Sequence, residues 1–216
     1  MAESLRARKK QATTVAILRQ ARELFLSQGY EETGMDEIAV AAGVSRTTLF
    51  NYFPSKIALL ICMAERREQS FKALVEECCA GFDSTSERIE QIFKRWAAYL
   101  LHSPKLHALI TAALTSGGRS DSANSAALGG YIVEFRGLLE EGRRIGDVRE
   151  DYSIESLTQM LVSTLLTASY TLFHGEDAQM EAHFMENARF IAEAISAPVG
   201  LDEGRVKNLK IPLSRS

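Results

Sequence analysis

The sequence predicts an all-helical fold. Apolar residues recur at intervals of three and four in nearly every segment longer than ten residues, which is the period of an amphipathic helix. No stretch shows the sustained alternation of a half-buried strand. Helix start and stop signals, mainly Ser, Pro and Gly, separate these segments. We therefore expect three helices at the N-terminus, followed by a larger helical bundle.

The N-terminal segments predict one longer helix and two short ones. The first helix begins at about residue 12, with an apolar stripe before Gly29, and the second spans about 35 to 42 and ends at Gly43. Ser45 is a good N-cap for the third, and Pro54 forbids its continuation. By helical spacing the third helix directs three side chains inward: Leu49, Phe50 and Phe53.

The remaining segments predict a bundle of longer helices. Ser55 caps a helix that lasts until Gly81, and its apolar stripe contains Ile57, Leu60, Ile61, Ala64, Phe71, Leu74, Val75 and Cys78. Ser84 with Glu87 forms a capping box, and Ser103 with Pro104 opens another helix. Further helices are expected at about 122 to 142, 153 to 174 and 177 to 196. We expect a loop at 115 to 121 and an irregular tail after Pro198.

Composition and charge limit the classes of protein. The net charge is −3, but residues 1 to 56 carry eight Lys or Arg against six Asp or Glu. A slightly basic head on an acidic body suits contact with a polyanion at one end only. The charged first ten residues lack a signal-peptide pattern, and the uncharged segment 156 to 173 is too polar for a membrane span. These features predict a cytoplasmic protein without membrane association.

The third helix predicts a DNA-reading surface. Short second and third helices joined through Gly43, Val44 and Ser45 describe a helix-turn-helix. Thr47, Thr48 and Asn51 point away from the predicted core, with Tyr52 at the edge, and such short polar side chains reach base edges and phosphates. Arg46 in the first turn can swing toward DNA, and Lys56 with nearby N–H groups offers a phosphate clamp. Helices of this kind also occur in bundles that bind no DNA.

Residues 13 to 61 resemble the tetracycline-repressor (TetR) family, most specifically in the run IAVAAGVSRTTLFNYFPSKIALL. The resemblance implies DNA contacts from Ser45, Arg46, Thr47 and Thr48, backbone contacts from Asn51, Tyr52 and Lys56, and a phosphate contact from Thr33. Gly34 and Phe50 depart from the family's usual hydroxyl-bearing residues. The implied domains are a helix-turn-helix DNA-binding domain at 1 to 54, a helical effector-binding and dimerisation domain at 55 to 197, and the tail at 198 to 216.

A dimer is expected on physical grounds, because useful specificity requires two recognition helices spaced by about 34 to 36 Å. The family resemblance implies pairing through the helices at 153 to 174 and 177 to 196, and a small, lipophilic effector. Seven side chains are candidates for the effector site, or are simply core: Met63, Arg67, Phe71, Trp96, Tyr99, Tyr131 and Phe135. Arg67 could pair with an anionic effector or face water.

Other functions are weaker interpretations of the sequence. We expect no enzyme and no cofactor, because no nucleophile motif or glycine-rich phosphate loop is present, and the histidines and cysteines lack metal-ligand spacing. The run RARKK is either a disordered start or an arm that follows DNA. Our expectation is a repressor that an effector releases from a palindromic operator. The alternative is an architectural or cell-cycle protein of the same fold that acts through a protein partner.

Overall fold

The computed structural model describes residues 4–116, 121–174 and 179–197. The described residues are helical apart from connecting turns and one isolated bridge between Val148 and Ser196. Their helices, in chain order, are α1 (Leu5–Ser27), α2 (Met35–Ala41), α3 (Arg46–Tyr52), α4 (Lys56–Gly81), α5 (Thr85–Leu101), α6 (Pro104–Ser116), α7 (Asp121–Ile145), α8 (Ile154–His174) and α9 (Met180–Ile195). The expected all-helical fold is confirmed.

Helix α1 begins at Leu5, well before the expected start near residue 12. Ser4 is its N-cap, and the Ser4 hydroxyl accepts a hydrogen bond from the Ala7 N–H at 3.2 Å. The residues that follow are mostly good helix formers, so the helix propagates without an apolar stripe. The run RARKK is therefore an exposed turn of helix, and the expectation of a disordered start is wrong for these residues.

The N-terminal helices enclose a small apolar core. Ile17 and Phe25 of α1 pack with Ile38 of α2 and Leu49 of α3, and all four are buried. The same cluster includes residues from α4 and α6: Leu59, Leu60, Met63, Leu106 and Ile110. This core extends beyond residue 54, so the start of α4 is packed with the first three helices.

A second, larger core lies among α4, α5, α7, α8 and α9. Helix α9 contributes five buried residues: Phe184, Ala188, Ile191, Ala192 and Ile195. These side chains pack within the protomer, so they cannot form a surface for a second chain. Hydrogen bonds around the Val148 bridge, from Arg149 N–H to the Ile195 carbonyl and from Ala197 N–H to the Asp147 carbonyl, hold the end of α9 beside the α7–α8 connection.

The buried face of α4 differs from the expected stripe in its first half. Ile57 and Ile61 are each 42% exposed, whereas Leu59 and Met63 are buried. The buried line continues through Arg67 to Phe71, Val75 and Cys78, so a charged residue occupies a core position. Arg67 therefore places a charged group inside the part of the protein formed by α4 to α9.

No helix in the described residues is long and apolar enough to cross a membrane. The expected loop at 115 to 121 is partly helical, because Ser116 ends α6 and Asp121 begins α7. Residues 117–120 and the expected tail at 198 to 216 lie outside the described residues.

Candidate DNA-binding surface and effector cavity

The turn between α2 and α3 has the geometry of a helix-turn-helix. Gly43 has a φ of 65°, a backbone conformation that glycine adopts without steric cost. The Gly43 N–H donates to the Val40 carbonyl at 3.1 Å, and the Val44 N–H donates to the Ala39 carbonyl at 3.0 Å. These two bonds form a Schellman motif, which ends α2 and redirects the chain into α3.

Helix α3 presents polar side chains to solvent, as expected. Its cap is Ser45, whose hydroxyl accepts a hydrogen bond from the Thr48 N–H at 3.0 Å. Leu49 is fully buried, which turns Thr47 and Asn51 outward, where both are exposed. Of the other residues here, Thr48 and Tyr52 are half-buried, and Phe53, which follows the helix, is buried.

The expectation that Phe50 faces inward is wrong. Leu49 and Phe53, one turn apart, fix the inward direction, so Phe50 is rotated by about 100° from it. Its ring is 38% exposed and lies 5.5 Å from the guanidinium carbon of Arg46. The exposed ring therefore borders the polar face and supports the Arg46 side chain by a cation–π contact.

Arg46 reaches solvent beside this face. Its Nη1 is 3.0 Å from Oδ2 of Asp36 at the start of α2, and the side chains are 70% and 62% exposed. An ion pair this exposed contributes only about 0–1 kcal/mol. Exchange of Asp36 for a phosphate or a guanine edge therefore has a small cost.

Two residues that were predicted to contact phosphates form hydrogen bonds within the protein instead. Lys56 donates from Nζ to the carbonyls of Tyr30 and Glu31 at 2.8 and 3.0 Å, and its ammonium lies 4.7 Å from the Tyr30 ring. Thr33 is buried, and its hydroxyl donates to the Gly29 carbonyl at 2.7 Å. Both side chains hold the α1–α2 loop, so their DNA contacts remain predictions that this conformation does not favour.

The start of α2 compensates for the hydroxyl that Gly34 lacks. The Gly34 N–H donates to the Glu37 carboxylate at 2.8 Å, and the Gln28 side chain donates to the same oxygen at 3.0 Å. A carboxylate in the first turn also interacts favourably with the helix dipole. Loss of the usual capping residue therefore does not leave this end of α2 without a partner.

Aromatic side chains meet in the centre of the body. The Phe71 ring lies 5.0 Å from Trp96, 4.6 Å from Tyr131 and 5.4 Å from Phe135, measured between ring centroids. Tyr99 stacks on Trp96 at 4.8 Å. The structure thus brings together five of the predicted effector residues, while Met63 belongs to the N-terminal core.

Arg67 lies beside this aromatic cluster and is only 7% exposed, so the expectation that it could face water is wrong. Its Nη1 donates to the Thr111 hydroxyl at 3.0 Å, and its Nε has no hydrogen-bond partner in the part of the chain that the structure describes. Burial raises the pKa of the Tyr131 phenol, an effect that the neighbouring Arg67 charge opposes. A buried guanidinium with an unsatisfied N–H is a binding point for an anionic group.

A cavity of about 20 Å³ lies between Arg67 and the aromatic rings, which is room for about one water molecule. Sequence reasoning missed five residues that border it: Leu100, Thr111, Leu165, Leu166 and Ser169. No sequence signal distinguishes Thr111 and Ser169, because α6 and α8 carry other Ser and Thr residues as well. A larger ligand requires the surrounding helices to move apart.

The described residues show neither a cluster of metal ligands nor an activated thiol. They contain no group of three or more His, Cys, Asp or Glu side chains placed to hold a metal ion. Cys78 and Cys79 are free thiols, and burial raises the pKa of both. A raised pKa disfavours the reactive thiolate.

A helix-turn-helix with an outward polar α3, continued by a long helix into an all-helical body, is an arrangement typical of DNA-binding transcriptional regulators. The family model for bacterial regulatory proteins, tetR family, matches residues 17–62. The match runs from the middle of α1 to the first turns of α4, so it covers the helix-turn-helix.

Two relatives of known class are similar to part of this chain, and both are transcriptional regulators. The transcriptional activator FasR of Mycolicibacterium smegmatis is 29% identical over 90 residues, which are 42% of this chain and 41% of FasR. The regulator TcmR of Streptomyces glaucescens is 39% identical over 77 residues, 36% of this chain and 34% of TcmR. The matched part of the chain thus spans less than half of the length of these two relatives.

One solved structure matches nearly the whole fold. It is the TetR-family repressor FadR of Thermus thermophilus in complex with lauroyl-CoA, which is 25% identical to this chain. The match has a TM-score of 0.70 and covers 87% of this chain and 99% of FadR. The similarity therefore includes the C-terminal body as well as the helix-turn-helix.

Proposed function

We propose that this protein is a ligand-responsive repressor that binds a palindromic operator as a homodimer and is released by a small-molecule effector. The outward face of α3 carries the proposal. Thr47 and Asn51 are exposed beside Arg46, with no acidic side chain on that helix. Its site of action would be the cytoplasm, where operator DNA lies.

Specific roles follow from the geometry of α3. Thr47, Thr48 and Asn51 are short enough to read base edges once α3 enters the major groove. Arg46 would leave Asp36 and contact a guanine or a phosphate. Ser45 and Tyr52, at the two ends of the helix, would contact the DNA backbone.

Homodimer formation is proposed through α8 and α9. Apart from Glu155 in its first turn, the exposed side chains described on α8 are uncharged: Ser156, Gln159, Met160, Ser163, Thr167, Tyr170 and Thr171. Small residues among them allow a second helix to approach closely. On α9, Phe190 is 69% exposed although it is a large apolar side chain. A self-complementary contact of these faces would form a two-fold symmetric dimer with paired recognition helices.

The effector proposal depends on the aromatic cavity and Arg67. An apolar group would enter among Phe71, Trp96 and Tyr131, and an anionic group would accept the unsatisfied Nε hydrogen of Arg67. The lauroyl-CoA found in the Thermus FadR complex is one molecule with both features. The cavity would have to widen from its present volume, which couples ligand entry to movement of the helices around it.

Helix α4 supplies a mechanical connection between effector and DNA. Its first residue, Lys56, holds the α1–α2 loop, and about three turns further along Arg67 borders the cavity. Tilting of α4 would change the separation of the two recognition helices. The effector must favour the DNA-incompetent state by about 1–3 kcal/mol for useful regulation.

Operator binding tests the recognition surface. After selection of a palindromic site from a random DNA pool, Arg46→Ala and Thr48→Ala are each expected to weaken binding by about 10- to 100-fold. The physical reason is the loss of a hydrogen bond to a base, so preference at one base pair should relax as well. Fluorescence anisotropy with the selected site and single-base variants measures both effects.

The matched control is Asp36→Asn, which removes a negative charge from the same surface and frees Arg46. It should strengthen binding by a few-fold, opposite in sign to Arg46→Ala. If Arg46→Ala and Thr48→Ala bind every sequence as the parent does, the recognition surface is assigned wrongly. Many scattered chromosomal sites in a footprint, instead of promoter palindromes, would favour the architectural alternative.

Self-association tests the dimer surface. The double variant with Met160→Glu and Phe190→Glu should weaken dimerisation by at least about 10- to 100-fold, because each exposed apolar group becomes a charge facing its symmetry mate. Analytical ultracentrifugation measures the shift from dimer to monomer. Val133→Glu, at a 65% exposed position on α7, is the matched control and should leave the dimer unchanged. An unchanged dimer in the double variant would exclude this surface.

A further inference from the structure

A second cavity lies where α1 meets α4 and α6, outside the aromatic cavity. Its volume is about 330 Å³, at the lower end of the range of about 300–1,000 Å³ for small-molecule sites. Buried apolar side chains from all three helices line it: Leu18, Met63, Leu106 and Ile110. The site therefore has an apolar floor made by the DNA-binding helices and the body together.

Positive charge surrounds this floor. Arg19 and Arg22 of α1 and Arg66 of α4 line the cavity, and no Asp or Glu does. Among the described residues none of the three arginines forms an ion pair, and Arg22 donates a hydrogen bond to the Ser103 hydroxyl. Three guanidinium groups without a carboxylate create a local potential that attracts an anion.

His107 lines the same cavity and is left unsatisfied. The side chain is 5% exposed, and its Nδ1 has no hydrogen-bond partner within the described residues. Burial, together with the charges of Arg67 and Arg22, lowers the pKa of His107 to about 4, so the ring is neutral near pH 7. A buried polar atom without a hydrogen-bond partner is unfavourable, and a polar group of a ligand would satisfy it.

We propose that the cleft between α1, α4 and α6 is a binding site for a small amphiphilic carboxylate. Its carboxylate group contacts Arg19, Arg22 and Arg66, and its hydrocarbon body covers Leu106 and Ile110. A carboxylate accepts hydrogen bonds from guanidinium groups in bidentate geometry, which favours it over a neutral head group.

The position of the cleft gives it a regulatory role, an extension that rests on the proposed function. Its occupant contacts α1, which belongs to the DNA-binding helices, and α6, which belongs to the body. Binding would therefore fix one relative position of these helices and shift the population of DNA-competent dimers.

Calorimetric titration of the full chain with octanoate tests the site without DNA. The parent should bind octanoate at least about tenfold more tightly than octanol, which has the same hydrocarbon body and no charge. The double variant with Arg19→Met and Arg66→Met keeps the apolar stems and should lose at least about tenfold in octanoate affinity. Arg95→Met, on an arginine that pairs with Glu77 away from the cleft, should bind octanoate like the parent.

Two further variants identify the cavity that is occupied. Ile110→Trp should fill the cleft and abolish octanoate binding, whereas Arg67→Met should reduce it only slightly. Equal affinity for octanoate and octanol, or loss of binding in Arg67→Met but not in the Arg19 and Arg66 double variant, would overturn the proposal. Operator affinity of each variant is measured separately. Loss of octanoate binding with intact operator binding concerns this site alone, whereas absence of operator binding in the parent concerns the proposed regulator.

Discussion

Replacement of Phe71 by alanine is expected to lower the free energy of unfolding by about 3–5 kcal/mol. The ring is fully buried and touches Trp96, Tyr131 and Phe135 at centroid distances between 4.6 and 5.4 Å. Truncation removes these contacts and leaves a void that the neighbouring rings, which belong to two other helices, fill only partly. Urea denaturation at one fixed protein concentration measures the change, because dimerisation would otherwise alter the apparent stability.

Two controls separate packing from effector binding at this position. Phe71→Leu keeps most of the volume and should cost much less than the alanine variant. Val133→Ala, on the exposed side of α7, should stay within about 0.5 kcal/mol of the parent. If Phe71→Ala were as stable as the parent without effector, the ring would be a ligand contact and not a structural member of the core.

The helix ends could be predicted because they depend on local chemistry. Ser45, Ser55 and Ser84 each accept a backbone hydrogen bond at the start of a helix, as their sequence context indicates. Gly43 adopts the left-handed conformation that its position after α2 suggests. The position of Phe50 could not be predicted in this way. It is adjacent in sequence to buried Leu49, and only tertiary packing decides whether its side chain turns inward.

The buried face of α4 could not be predicted for a related reason. Arg67 lies on the line that joins Met63 to Phe71, and a charged residue is normally placed on the solvent side. The expected stripe included Ile57 and Ile61 and left out Arg67, but both isoleucines are partly exposed. A pattern that places charged residues on the solvent side fails where a charged side chain is buried, as Arg67 is.

The apolar stripe of α9 does not form the dimer surface that was expected from it. Ile191 and its neighbours on the apolar stripe of α9 are buried against the protomer's own helices, so the stripe reports the internal core. Periodicity identifies an apolar face but not which chain covers it. The structure leaves Met160 and Phe190 exposed to solvent, and this exposure is known only after folding.

Acidification is expected to destabilise the protein through His107. In the folded protein the pKa of this side chain is lowered to about 4, from 6.5 in its ordinary state. Burial is the main cause, and the neighbouring charges of Arg67 and Arg22 add to it. Between these two pKa values the unfolded chain binds a proton that the folded chain does not, so stability falls as the pH falls. At about 1.4 kcal/mol per pKa unit, the loss reaches about 3 kcal/mol near pH 4.

His107→Gln removes this proton uptake while it keeps a polar side chain in the cavity. Other groups also titrate in this range, so the informative quantity is the difference in unfolding free energy between variant and parent at each pH. Urea denaturation from about pH 7.5 to about pH 4 should show that difference constant above the ordinary histidine pKa. Below it, the difference should shift by about 3 kcal/mol in favour of the variant. A difference that stays flat across the whole range would mean that His107 is protonated as readily in the folded protein as in the unfolded chain. Burial among Arg22, Arg67 and Tyr99 would then not control its charge.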